Sequence, residues 1–148
     1  VSEFVDPGCI HPTEGFRTVP MPEREVKLAT IKNDLENLAG GGDVSSAIML
    51  FHTPPYRTAL DRAGLDGKFF DHAPLDVNVG SIALREFIEK RQPLVTLHGH
   101  VHESAAITGS WRDKIGRTEM FSAAHDGPEL ALVRFDLEEP EGATRDLI

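Results

Sequence analysis

Two short apolar runs, each followed by histidine, constrain this chain more than any other feature. Residues 47–51 read AIMLF and precede His52, while residues 94–97 read LVTL and precede His98-Gly99-His100-Val101-His102. Continuous apolar runs of this length are the pattern of strands covered on both faces in a parallel or mixed sheet. Pro54 and Pro55 forbid extension of the first strand. Between the runs, Ser81 is a predicted N-cap for a helix through Ile82, Leu84, Phe87 and Ile88 to Arg91, with Pro93 beyond it. Strand–helix–strand order of this kind predicts an α/β fold, and α/β sheets collect ligands beyond the carboxyl ends of their strands. His52 and the 98–102 cluster can therefore converge from distant sequence.

The remaining chain arranges itself around that unit. Residues 1–22 carry Pro7, Gly8, Pro12, Gly15, Pro20 and Pro22 and predict an irregular opening segment. Residues 23–39 predict a helix with Leu28, Ile31, Leu35 and Leu38 on one stripe, stopped by Gly40-Gly41-Gly42. Residues 56–78 form a long segment with no clear period, a length that usually marks a functional loop. Three further strands are predicted at about 105–111, 117–123 and 130–137, the first two joined as a hairpin through a turn at 113–116. Trp111 and Phe121 are expected to pack within that hairpin. Residues 138–148 (EEPEGATRDLI) predict a frayed acidic tail after a domain spanning 1–137.

Composition excludes several classes of function. Fifteen Lys and Arg against 24 Asp and Glu leave a net charge of −9, which argues against a protein that grips a nucleic-acid polymer by its phosphates. No apolar run approaches the ~18 residues of a membrane span. One cysteine, Cys9, cannot close an internal disulfide and has no base beside it in sequence, which suits a reducing, cytoplasmic setting. Histidine, by contrast, occurs seven times. Neutral imidazole is the commonest nitrogen ligand of divalent first-row metals. Strand-like geometry at 98–102 would put His100 and His102 on one face, with Cα atoms about 6.5–7 Å apart. Gly99 leaves room for the backbone to turn toward a ligand.

The segment LVTLHGHVHES resembles the G-H-x-H stretch of calcineurin-like metallophosphoesterases, and MLFHTPPYRTALD resembles the strand–His–Pro-Pro stretch of the same family. The intervening GSIALREFIEKRQP matches in order and spacing, so the resemblance covers about residues 23–137. It implies the C-terminal half of a metallophosphoesterase α/β sandwich: a mixed β-sheet with two main helices and a C-terminal β-hairpin. It implies further that His52 and His100 bind one metal of a dinuclear pair and His102 the other. His98 is not a ligand in that pattern and is read as a neighbour that packs beside the site. Tyr56, Arg57 and Asp61, following His52, are candidates to reach a substrate phosphate or its leaving group. His125 sits where the family has a loop near the metals, but the sequence SAAHDG departs from the usual one, and a loop histidine is expected; His72 and His11 are expected to be exposed.

The family's earlier D-x-H and G-N-H motifs do not occur here, and Gly42-Asp43 follows a helix rather than a strand. The resemblance thus implies a phosphoester hydrolase using two divalent ions (manganese, iron or zinc), with this chain holding one ion or none and inactive alone. A metal-activated water would be the nucleophile, with no catalytic side chain assigned in this chain. Partners would be a phosphoester substrate and either the missing N-terminal half or a second copy meeting an exposed sheet surface. The alternative is a degenerate phosphoesterase fold that serves as an interaction module. Cupin-type dioxygenase barrels also carry H-x-H on a strand, but the two predicted helices do not suit them.

Overall fold

The computed structural model describes residues 9–10, 19–20 and 30–148. The chain divides into two compact units, residues 1–40 and 41–148. In the first, β1 (Cys9–Ile10) and β2 (Val19–Pro20) pair antiparallel, a short ladder within the segment expected to be irregular. Helix α1 (Ile31–Ala39) begins where the Thr30 hydroxyl accepts from the Asn33 amide at 3.1 Å and ends at Gly40, whose φ is 57°. The expected helix start at residue 23, and Leu28 of its stripe, lie outside the described residues. Of the rest of that stripe only Leu35 is buried, and Leu38 is exposed.

The second unit is mixed α/β. Its four-stranded sheet has the order β3 (Ile48–Leu50), β6 (Val95–His98), β8 (Thr118–Ser122), β7 (Arg112–Ile115). The first three strands run parallel and β7 is antiparallel to β8. Helix α2 (Ile82–Arg91) connects β3 to β6, capped by the Ser81 hydroxyl, which accepts from the Leu84 amide. It buries Leu84, Phe87 and Ile88, and Phe87 meets the Phe51 ring edge-on at 6.5 Å. The helix closes at Gln92, left-handed with φ 49°, just before Pro93. These elements sit where their caps and prolines predict them.

Register sets the faces of the sheet. Val95, Leu97 and Phe121 share one face; Val95, Phe121 and Ala143 form the buried core, against which the half-buried Leu97, Trp111, Val133 and Phe135 pack. Phe121 lies between Trp111 and Phe135, with ring centroids 5.8 and 5.4 Å away. The Trp111–Phe121 contact is the one expected of the hairpin. Ile48 and Leu50 stand on that same face, opposite Val95 and Leu97, yet they are 40% and 76% exposed. The expectation that 47–51 is covered on both faces is therefore corrected. Among the described residues β3 is an edge strand, and the layer built on Val95 and Phe121 stops short of it.

Two further corrections concern the C-terminal region. The strand expected at 105–111 is instead helix α3 (Ser104–Thr108), ended by Gly109 at φ 75°. Alanine at 105 and 106 favours helix, and Thr108 satisfies its hydroxyl by donating to the Ser104 carbonyl. The hairpin accordingly joins β7 to β8 through Gly116, at φ 61°, rather than through 113–116. The expected frayed tail is ordered. A 3-10 turn (Pro140–Gly142) leads into β10 (Thr144–Leu147), which pairs antiparallel with β9 (Ala131–Arg134). The acidic residues of the connection stay in solvent while Ala143 turns into the core. The exposed hairpin β4 (Phe69–Phe70)–β5 (Ala73–Pro74) lies within the long loop. Among the described residues no helix is long and apolar enough to cross a membrane.

A test of the ordered tail is Ala143→Asp. A carboxylate placed against Val95 and Phe121 should lower the unfolding free energy by more than ~2 kcal/mol. A urea titration in which the variant unfolds like the wild type would mean that the tail is frayed after all.

Candidate metal centre

The parallel pairing of β3 with β6 brings the two histidine segments together. Leu50 lies opposite Leu97; beyond them the Phe51 amide donates to the Leu97 carbonyl at 2.9 Å and the Gly99 amide to the His52 carbonyl at 3.0 Å. These bonds carry the two chains side by side past the strand ends. His52 Nε2 and His100 Nδ1 then stand 3.0 Å apart, with ring centroids at 4.8 Å and planes at 67°. Both rings are exposed, so solvent reaches the pair.

His100 reaches this position through an unusual backbone. Its φ is 73°, and the Val101 amide donates to the Gly99 carbonyl at 3.0 Å, closing a three-residue turn centred on His100. Turns of this hand are rare and strained. A side-chain-bearing residue held there costs roughly 1–3 kcal/mol, a cost met most often at functional sites. The turn also corrects the strand-like reading of H-x-H. The strand ends at His98, the chain reverses at His100, and His102 falls in the exposed turn before α3. Gly99 is not the pivot, since a Cβ there would meet only the His52 carbonyl, at an ordinary 3.6 Å.

The pair fits half of a metal site. Two imidazole nitrogens on one tetrahedral zinc, each at about 2.0–2.1 Å, stand roughly 3.3 Å apart. The observed separation of 3.0 Å is close to that, and an ion would replace the proton that the two nitrogens now share. Among the described residues, no group of three or more His, Cys, Asp and Glu side chains is placed to hold an ion. An apolar hollow of about 330 Å³ adjoins the pair, lined by Leu50, Phe51, His52, Leu97 and His98.

His98, read from sequence as a packing neighbour, is buried with both ring nitrogens satisfied. Nδ1 lies 3.1 Å from the Thr53 carbonyl, which can only accept, so Nδ1 carries the proton. Nε2, at 2.8 Å, then accepts from the Thr96 hydroxyl. Burial pushes the His98 pKa down to about 4 from its ordinary 6.5, and the bond to Thr53 opposes that shift. An unfolded chain would take up the proton first as pH falls. The stability held by the neutral ring is therefore complete above about pH 6.5 and is lost as pH drops toward 4. In an NMR titration of the metal-free protein, the His98 ring signals should stay in the neutral form down to about pH 5. A midpoint near the ordinary value would contradict the burial.

The loop after His52 is organised by Asp61, which is fully buried. Its carboxylate accepts from the amides of Arg57, Thr58 and Gly80 and from the Asn78 side chain, at 2.8–3.0 Å. This corrects its candidacy as a substrate contact: Asp61 is spent on the backbone. A Cβ at Gly80 would lie 2.7 Å from the Pro55 carbonyl and 2.8 Å from Asp61, so the loop closes only around glycine. Sequence reasoning missed Asn78 and Gly80, whose sole local signal is a glycine before the Ser81 cap. Arg57 is held at φ 56°, its amide on Asp61 and its carbonyl, like that of Tyr56, accepting from Arg85 at 2.9 Å. Its guanidinium lies over the Tyr56 ring at 5.2 Å. Tyr56 donates its hydroxyl to Asp76; that bond raises the tyrosine pKa and is the first cause holding the Asp76 carboxyl low.

The other histidines stand apart. His125 Nε2 pairs with Glu129 at 3.0 Å, as a loop histidine. His72 is exposed in the β4–β5 turn, as expected. His11 and the Cys9 side chain lie outside the described residues. Compared with family models, curated proteins and solved structures, the chain matches none.

Replacing Asp61 by alanine strands four donors in a buried loop and should cost about 2–4 kcal/mol. Chemical denaturation of the variant measures this, and a loss below ~0.5 kcal/mol would show that the carboxylate does not organise the loop.

Proposed function

We propose that this chain supplies the C-terminal histidine ligands of a dinuclear phosphoester hydrolase of the calcineurin-like metallophosphoesterase type. The observation that carries this reading is the 3.0 Å approach of His52 Nε2 to His100 Nδ1 beyond the ends of adjacent parallel strands. The strained turn at His100 adds support, because it aims a ligand-type side chain at a partner that is 48 residues away in sequence. In this reading His52 and His100 hold one ion and His102 belongs to the second. Two divalent ions of manganese, iron or zinc, when bound, polarise the phosphoryl group and make a water nucleophilic at neutral pH.

Neutral imidazoles bring no negative charge to offset two dications. Carboxylate ligands would come from the family's N-terminal motifs, on a polypeptide that meets this chain or precedes it. The open edge of β3, with Ile48 and Leu50 exposed, is where that polypeptide or a second copy would seat. Tyr56 and Arg57, in the loop after His52, are the side chains proposed to contact the substrate phosphate. The net charge of −9 favours a small phosphoester over a nucleic-acid polymer, and the single cysteine supports a cytoplasmic setting.

Calorimetric titration with manganese and zinc tests the reading. The chain alone should bind one ion weakly and hydrolyse an aryl phosphate little or not at all. His52→Ala or His100→Ala should abolish binding, while His102→Ala should leave it unchanged. Two tightly bound ions with turnover lost in His100→Ala would overturn the incompleteness of the site. Failure to bind any ion would overturn the metal role and leave the interaction module, with the β3 edge as its surface.

A further inference from the structure

We propose that His98 is a positioning residue that sets the His52–His100 geometry by gripping the chain on both sides of His52; its consequence for metal binding rests on the function proposed above. Three consecutive residues are held from the opposite strand. The Phe51 amide donates to the Leu97 carbonyl at 2.9 Å, the His52 carbonyl accepts from the Gly99 amide at 3.0 Å, and the Thr53 carbonyl accepts from His98 Nδ1 at 3.1 Å. The first two are backbone bonds that any residues could make. The third is chemical and belongs to the His98 side chain.

The ring makes a further contact. It stacks on Phe51 at 5.9 Å with planes 22° apart, so the residue before His52 is held by its face and the residue after it by a hydrogen bond. Thr96 completes the arrangement. Its hydroxyl, fully buried, donates to Nε2 at 2.8 Å and so keeps the proton on Nδ1, where it reaches Thr53. With the other tautomer, Nδ1 would turn a lone pair toward the Thr53 carbonyl and repel it.

The brace is needed because of where His52 sits. Among the described residues β3 is an edge strand of three residues, paired only with β6, and His52 lies past its end, just before Pro54-Pro55, which contribute no amide donors. No strand among the described residues fixes the direction of β3 from its outer side. A shift of about 1 Å in a ligand is enough to spoil a site of this kind.

The test uses the full chain without metal. Its readout is the ring-to-ring NOE between His52 and His100, whose centroids are 4.8 Å apart, together with the imidazole nitrogen shifts that report the His98 tautomer. His98→Phe keeps the volume and the stacking on Phe51 but donates nothing to Thr53, and it should lose the NOE. His98→Asn returns an amide N–H near the place of Nδ1 and should restore it, a rescue that general packing does not explain. Thr96→Val removes only the hydroxyl; it should mix the His98 tautomers and weaken the NOE. The proposal is overturned if His98→Phe folds and keeps the NOE, or if His98→Asn fails to restore it. Should His98→Phe not fold, Thr96→Val decides, and an unchanged tautomer and NOE overturn the proposal. Zinc titration gives a second arm: His98→Phe should weaken binding by about tenfold or more, with recovery in His98→Asn. A wild-type chain that binds no zinc would refute the metal reading while the NOE still decides the positioning role.

Discussion

The parallel pairing of β3 with β6 is the interaction on which the rest of this unit's architecture turns. Parallel strands need a crossover, and α2 supplies it with a capped start at Ser81 and a left-handed stop at Gln92. Because Leu50 pairs with Leu97, β6 runs only one residue further than β3, and the residues just past the two strands are delivered to the same place. A slip of one residue would turn every side chain of β3 to the other face. Convergence of His52 and His100 is thus a consequence of register.

Buried polar groups then hold what the register delivers. Asp61 and His98 both lie inside: Asp61 is satisfied mainly by backbone amides of the loop that follows His52, and His98 by that loop's Thr53 carbonyl and by the Thr96 hydroxyl. A buried polar group left unpaired is costly, so each narrows the loop to conformations in which its partners are present. Strain sits beside this rigidity, in the positive φ angles of Arg57 and His100. Strained backbone persists where surrounding bonds over-determine it. The organisation follows: a rigid loop, two strained residues that present a cation and an imidazole, and a solvent-open pair of rings.

The sheet is finished on one side and open on the other. Toward β8 and β7, the aromatic cluster of Trp111, Phe121 and Phe135 and the returning β9–β10 hairpin close the core. Toward β3 the same face ends in exposed Ile48 and Leu50. An apolar edge strand is an invitation to pair. The asymmetry places the unsatisfied surface next to the histidine pair.

The local signals were legible in the amino-acid sequence wherever one residue carries its own reason. Ser81 caps α2, Pro54-Pro55 stops β3, the apolar LVTL run makes β6, and two histidines wait at the strand ends. Where the outcome depends on a distant partner, the sequence was silent or misleading. The acidic tail conceals that Ala143 is the residue facing Val95 and Phe121, and H-x-H alternates like a strand although the chain turns at His100. Asp61 finds partners as far away as residue 80, and no local pattern announces them. Caps, breakers and apolar runs act through neighbours within a turn or two, so sequence alone determined α2, the strands β3 and β6 and the candidate ligands. Register, burial and backbone strain are set by residues far apart in the chain. Only the tertiary structure decided that His52 meets His100, that His102 stands in a separate turn, and that His98 holds the loop between them.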